Sequence, residues 1–325
     1  MQLPNITLKQ REILKLLYSY RFLDRIQIQT LMNHKDYKRI NVWLKDLREK
    51  HYVERIYSSD FAEKTKPAVY YLGLNGIRYL KTLDAYSLEE LRKRYRESSR
   101  SQTYIDRCAL VADCCITLTK QRTDTTTYYY ETEADYLEDS YYHFLSESEL
   151  IRPHLCFSKN EYDYTSHEDV TIDSYLLEIF DATLPRYRMK KRLTNYMKYF
   201  DEEDSEWEEE TDSDKLPIIL LVCPRTTDLI YAKRRMRGLL AEEWEHDDED
   251  RPHIRFTTID KLKELGVTGE IWEPVSWREI GIKQLLKPIG PFSKSACVLW
   301  PYKPTYKAGC ECRKPQTKPL GFAQF

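Results

Sequence analysis

The amino-acid sequence predicts an α+β chain in two parts, a small helical unit closed by a β-hairpin and then a larger mixed α/β sheet. Three observations carry this reading. Residues 1–80 hold three amphipathic stretches followed by two short β-rich runs. From Thr127 onward, strand-like runs give way to strand–helix alternation, which indicates a mixed sheet with flanking helices. Charge is also sorted along the chain. Residues 1–100 hold 21 Lys/Arg against 12 Asp/Glu and residues 101–325 hold 30 against 41, within a formal net charge of −2. A local surplus of that kind is what phosphate contact requires.

The first helix opens at Thr7-Leu8-Lys9-Gln10, a capping box in which the threonine hydroxyl accepts from the backbone and Gln10 reaches back. Leu8, Ile13, Leu14, Leu16 and Leu17 give it an apolar face to about Tyr20. Asp24 caps a short second helix bearing Ile28, Leu31 and Met32. A third helix spans about Asp36 to Lys50. With successive residues about 100° apart, Ile40, Trp43, Leu44 and Leu47 share one face. Lys38, Asn41, Lys45 and Arg48 form an outward stripe, with Arg39 beside it. Two β-rich runs follow, Tyr52–Tyr57 and Ala68–Leu72, joined by a loop with Lys64 and Lys66 at its basic tip.

Three helices and a basic-tipped hairpin are the order of a winged helix-turn-helix, expected over residues 1–85, whose third helix enters a major groove. Asparagine is suited to reading adenine and arginine to reading guanine, whereas lysines more often meet phosphate. The candidate DNA-binding residues are therefore Lys38, Arg39, Asn41, Lys45, Arg48, Lys64 and Lys66. The competing reading is a three-helix core whose charged face is merely solvated.

Residues 86–122 read as a linking helix, Leu88 to Lys120, that begins with Arg92, Lys93, Arg94 and Arg96. Residues 123–285 form the α/β domain. Its expected strands are Tyr128–Glu131, Leu150–Leu155 and Ser174–Phe180, followed by a basic amphipathic helix from about Pro185 to Phe200. A buried-type strand Leu216–Cys223, a helix Thr226–Trp244 and a strand His253–Thr258 come next. The acidic runs Asp201–Asp214 and Glu242–Asp250 read as solvated loops. Residues 286–325 carry six prolines and read as an extended tail able to pack on the body or dock a partner.

Several function classes lose support. Only 9 glycines are present, and neither G-x-x-x-x-G-K-[ST] nor G-x-G-x-x-G occurs, so no glycine-rich phosphate loop is expected. The 8 cysteines form no disulfide framework and are expected as reduced thiols in a cytoplasm. Cys310-Glu-Cys312 with Cys297 lacks an evident fourth zinc ligand. The 7 histidines include no H-E-x-x-H. The opening MQLPNITLKQ has no charged-then-apolar leader, and no run approaches the roughly 18 apolar residues of a membrane span. No cofactor, metal site or membrane association is expected. Trp272 and Trp277 read as core or interface aromatics.

Several segments carry a family resemblance. They are Leu8-Lys9-Gln10-Arg11 through Arg21-Phe22-Leu23, Tyr70-Tyr71-Leu72-Gly73-Leu74-Asn75-Gly76, Arg152-Pro153, Leu177-Glu178 through Thr183, and the helix with Lys190, Lys191 and Tyr196. Over residues 5–200 the chain resembles the replication-relaxation family of plasmids and integrative elements. Members of that family join a winged helix to a restriction-endonuclease-like domain similar to PD-(D/E)xK nucleases. The resemblance implies a bacterial, cytoplasmic protein of a mobile genetic element that binds double-stranded DNA in replication or relaxation, or in their regulation.

Departures from the pattern bear on chemistry. A nuclease of this kind holds Mg²⁺ with hard oxygen ligands. Here Pro153-His154 stands where the pattern has Pro-Asp, and Glu178-Ile179-Phe180 lacks the second acid or lysine. Strand alternation puts residues 178 and 180 on one face, so a ring would occupy the metal position. Glu178, Lys191 and Glu133 (or Glu131) are the residual catalytic candidates, and the domain is expected to be non-catalytic. Two-fold dimers are common among such DNA binders, which leaves a homodimer open without coiled-coil heptads to decide it, and the C-terminal half could take a protein partner. The alternatives are a metal-dependent DNA nuclease using Mg²⁺, a ligand- or peptide-responsive transcription regulator, and a module whose winged helix binds protein.

Overall fold

A computed structural model of the chain describes residues 3–57, 67–138, 140–164, 168–201, 206–211, 215–243 and 252–275. Helix α1 (Leu8–Tyr20) starts where the capping box closes: Gln10 N donates to Thr7 Oγ1 at 3.3 Å, and Thr7 N donates to Gln10 Oε1 at 2.8 Å. After the short strand β1 (Leu23–Asp24), Asp24 caps α2 (Arg25–Leu31) in the same way with Gln27. Helix α3 (Tyr37–Glu49) is capped by Asp36. Strands β2 (Val53–Ile56) and β3 (Val69–Leu72) pair antiparallel, and β3 also pairs with β1, giving a three-stranded sheet in the order β1-β3-β2.

Helix α4 (Leu74–Leu80) follows the hairpin directly, because glycine lets two backbones close on each other. A Cβ added at Gly76 would lie 2.3 Å from the Tyr52 carbonyl oxygen, and one at Gly73 would lie 2.6 Å from that of His51.

The single linking helix expected over Leu88–Lys120 does not form. Helix α5 (Leu88–Lys93) runs into a 3₁₀ turn over Arg94–Ser99, Arg100 is extended, and Ser101 caps a new helix, α6 (Gln102–Lys120). Leu110, Ala112, Cys115 and Leu118 of α6 are buried against α1, α2 and the sheet, so this helix belongs to the core.

The second part continues with β4 (Thr126–Thr132), α7 (Glu133–Tyr136), α8 (Phe144–Glu147), β5 (Leu155–Asp163), β6 (Glu168–Ile179) and α9 (Arg186–Asp201). It closes with α10 (Glu206–Thr211), β7 (Ile218–Cys223), α11 (Thr226–Glu243), β8 (Ile254–Thr258), α12 (Ile259–Leu265) and β9 (Glu273–Pro274). The six strands lie in the order β4-β5-β6-β7-β8-β9. Pairing is antiparallel at β4/β5, β5/β6 and β8/β9 and parallel at β6/β7 and β7/β8, so the sheet is mixed and the chain is α+β, as the alternation of elements predicts.

Two local expectations fail for clear reasons. The strand placed at Leu150–Leu155 begins only at Leu155, because Pro153 has no N–H for a ladder and Ser148 Oγ accepts from Leu150 N at 3.1 Å. The acidic run after Asp201 is not all loop. It contains α10, anchored by a fully buried Trp207 whose Nε1 donates to Lys215 O at 3.2 Å. Trp272 is half-buried and donates to Val267 O at 2.8 Å. Trp277 and the tail over 286–325, with its three cysteines, lie outside the described residues.

Strand alternation divides the core into two layers. Phe157, Leu177, Leu220 and Val222 face the layer that also contains the buried residues of α1–α3 and α6. Cys156, Leu176, Ile219 and Leu221 face the opposite layer, filled by α9 and α11. The helical N-terminal unit and the α9/α11 pair therefore lie on opposite faces of the six-stranded sheet. Among the described residues no helix is long and apolar enough to cross a membrane.

Candidate nucleic-acid interface

Helix α3 is set against the unit by Ile40, Leu44 and Leu47, all buried. Its flank is fixed by Asp46, which accepts from Gln10 Nε2 at 2.6 Å and Lys50 Nζ at 2.8 Å. The Lys50 hydrogen bond holds the Asp46 carboxyl below its ordinary range. Trp43, expected on the core face, is only half-buried and meets His34 edge-on with centroids 5.1 Å apart. These contacts turn Lys38, Asn41 and Lys45 outward, all exposed, with Val42 58% exposed between them. Arg39 is exposed to the side of the stripe. The Lys45–Glu49 pair is 3.9 Å apart at two exposed positions, too weak to remove the lysine from solution.

Arg48, at the C-terminal end of the stripe, is half-buried. It acts electrostatically on Tyr70, as does Arg55, the cross-strand partner of that tyrosine on β2. Burial pushes the Tyr70 hydroxyl up, and the two guanidinium groups oppose that shift. Arg55 also lies 4.5 Å from the ring centroid of Tyr57, which is itself 57% exposed. Arg55, Tyr57 and Tyr70 thus form an arginine–tyrosine cluster on the hairpin, within electrostatic reach of Arg48 at the end of α3. The sequence reading missed Arg55; its signal was an arginine at the centre of a short strand paired with a tyrosine-rich one. Lys64 and Lys66, expected at the hairpin tip, lie outside the described residues.

The residual catalytic candidates lie in different surroundings. Glu178 points into the α9 layer, where its Oε1 accepts from Arg192 Nη1. Burial raises the Glu178 carboxyl, and Arg192 opposes it. Lys191, the lysine proposed to act there, is exposed, because α9 turns the next residue toward the sheet. Arg107 of α6 contributes a second positive charge near Glu178. His154 Nδ1 accepts from Ile179 N at 3.1 Å, and burial together with Arg107 and Arg192 holds its imidazole well below the ordinary range, in the neutral form. Glu133 opens α7 and lines a cleft with His154, Arg107 and Arg94. Glu131 is enclosed by structural donors: the Tyr129 hydroxyl, Ser140 Oγ at 2.8 Å and the backbone N–H groups of Tyr141 and Tyr142. Where a divalent cation would need oxygen ligands, the carboxylate of Glu178 already holds a guanidinium.

Comparison with known proteins adds one match and one blank. No curated protein matches this sequence. The replication-relaxation family model matches residues 14–213, more than half of the chain, from within α1 to the acidic run after α9. The chain therefore belongs to the replication-relaxation family.

Proposed function

We propose that this protein binds duplex DNA through α3 and the adjoining hairpin, and serves the replication or relaxation of a plasmid or other mobile element. The N-terminal unit then works as a winged helix-turn-helix. The observation that carries this reading is the stripe of Lys38, Asn41 and Lys45, exposed on α3 with Arg48 at its end and the exposed Arg55 on the adjoining hairpin. In this reading the lysines and Arg55 meet phosphates, and Asn41 and Arg48 read base edges. The six-stranded domain works as a scaffold and not as a nuclease, because Arg192 occupies the carboxylate that a metal would need.

Fluorescence titration of duplex DNA over a salt series tests the reading. Lys38→Ala and Lys45→Ala should each weaken binding to unrelated duplexes alike and reduce the slope of log affinity against log salt by about one. Unchanged affinity and slope in both variants would exclude α3 from the interface. Incubation with supercoiled DNA and Mg²⁺ or Mn²⁺ tests the scaffold assignment; cleavage lost in Glu178→Gln would overturn it.

A further inference from the structure

The stretches 182–200 and 229–241, which form most of α9 and α11, contain ten Lys/Arg and no Asp/Glu. Among the described residues three of these cations are engaged inside the fold: Arg192 by Glu178, Lys233 by Glu273 at 3.2 Å, and Arg237, which donates to Val275 O at 3.2 Å. Lys190, Lys191 and Arg234 are exposed and have no carboxylate partner among the described residues.

The helices present one surface. Tyr231 of α11 donates its hydroxyl to Arg186 O at 3.3 Å, and its ring lies 5.0 Å from the Arg186 guanidinium and 5.5 Å from that of Arg235. One ring thus gathers an arginine from each helix. Beside it, Tyr187 is 67% exposed and carries Arg188 at 5.9 Å from its centroid. Cations with no carboxylate partner among the described residues, along two packed helices with an open aromatic ring at one end, match a phosphate backbone with a face for stacking a base or sugar.

We infer that the outer surface of α9 and α11 is a second nucleic-acid contact, which holds a segment of strand or duplex separate from the one at α3. The two surfaces lie on opposite faces of the six-stranded sheet, so one short segment does not reach both. A chain built this way carries two segments, and longer DNA either wraps it or is bridged by it.

The test uses the full chain with a 16-nucleotide single strand and a 16-base-pair duplex, and compares Lys190→Glu/Lys191→Glu/Arg234→Glu with Lys38→Glu/Lys45→Glu. The altered side chains are exposed, and an unchanged melting curve verifies the fold. Losing three cations on the α9/α11 surface should lower affinity at least tenfold. It should also reduce the salt slope by about two to three and cut the bound segments from two to one. Binding of both probes supports backbone recognition. Binding of the single strand alone, lost in Tyr187→Ala, supports the same surface acting by stacking. Wild-type affinity, slope and stoichiometry in the α9/α11 variant overturn the inference, as does binding of polyglutamate in place of either nucleic acid. If the α3 variant alone behaves as wild type, the inference stands and the α3 assignment fails.

Discussion

Arg192 donates to the buried carboxylate of Glu178 from the middle of α9, so a glutamate near the end of a central strand is neutralised by a helix that packs on the sheet. The Glu178 side chain is 4% exposed and that of Arg192 43%. Removing the arginine strands a buried charge. Arg192→Ala should therefore cost about 2 kcal/mol at neutral pH, below the range for a fully buried pair because the arginine side chain is partly solvated. Adding Glu178→Gln should recover part of that loss. Urea denaturation of the double-mutant cycle checks this, and strictly additive losses would contradict the pairing.

The same pair fixes a pH dependence. Burial holds folded Glu178 above its ordinary value of 4.5, so the folded state binds a proton that the unfolded chain releases. Its contribution to stability is fully present below the unfolded value and is lost as pH rises through the folded one. Without Arg192 the folded value rises further. The destabilisation by Arg192→Ala should thus be small in acid and grow toward neutrality; a difference constant from pH 4 to 7 would refute this.

Gly76 and Gly238 should respond oppositely to alanine. A Cβ at Gly76 meets the Tyr52 carbonyl at 2.3 Å, backbone that cannot swing away, so Gly76→Ala should cost about 2–3 kcal/mol. At Gly238, inside α11, nothing lies within 4 Å, so alanine should gain about 0.5–1 kcal/mol from helix propensity. Thermal melting of the two variants is the measurement, and shifts of the same sign would contradict it.

What was legible in the sequence was local. The caps at Thr7 and Asp24 each need only a partner three residues on, and the stripe on α3 needs only the helical period. The Glu178 partner was not legible. Lys191 and Arg192 differ by one step around α9, and only docking on the sheet decides which meets the carboxylate. The break at Arg94–Ser99 was hidden because its residues suit a helix; Arg94 instead donates to Tyr18 O, and Glu97 accepts from Arg21 Nε at 2.9 Å. Trp207 was masked by the acidic composition around it, although one large aromatic in such a run is itself a sign of an anchor.

Cys108, in the same cleft as Arg94 and Arg107, should be a slow thiol. Burial pushes it up to about 11 against the pull of Arg21 and Arg107. The thiolate is the reactive form, so its alkylation rate should still be climbing at pH 10 and not level off near 9. Peptide-resolved iodoacetamide labelling of the native protein measures this. A plateau near pH 9 would show an open, ordinary thiol.

Asn41 and Arg48 should differ from the lysines in kind. A side chain that reads a base edge contributes discrimination at one position, about 1–3 kcal/mol, whereas a phosphate contact weakens every sequence alike. Asn41→Ala should relax the preference at a single base pair in pooled-oligonucleotide selection and leave nonspecific affinity nearly unchanged. Arg48→Ala should relax a neighbouring position and also loosen the Tyr70 cluster, because its charge acts on that ring. A selection that returns one unchanged motif for wild type and both variants would assign base reading elsewhere. The exposed stripe would then be only a phosphate clamp.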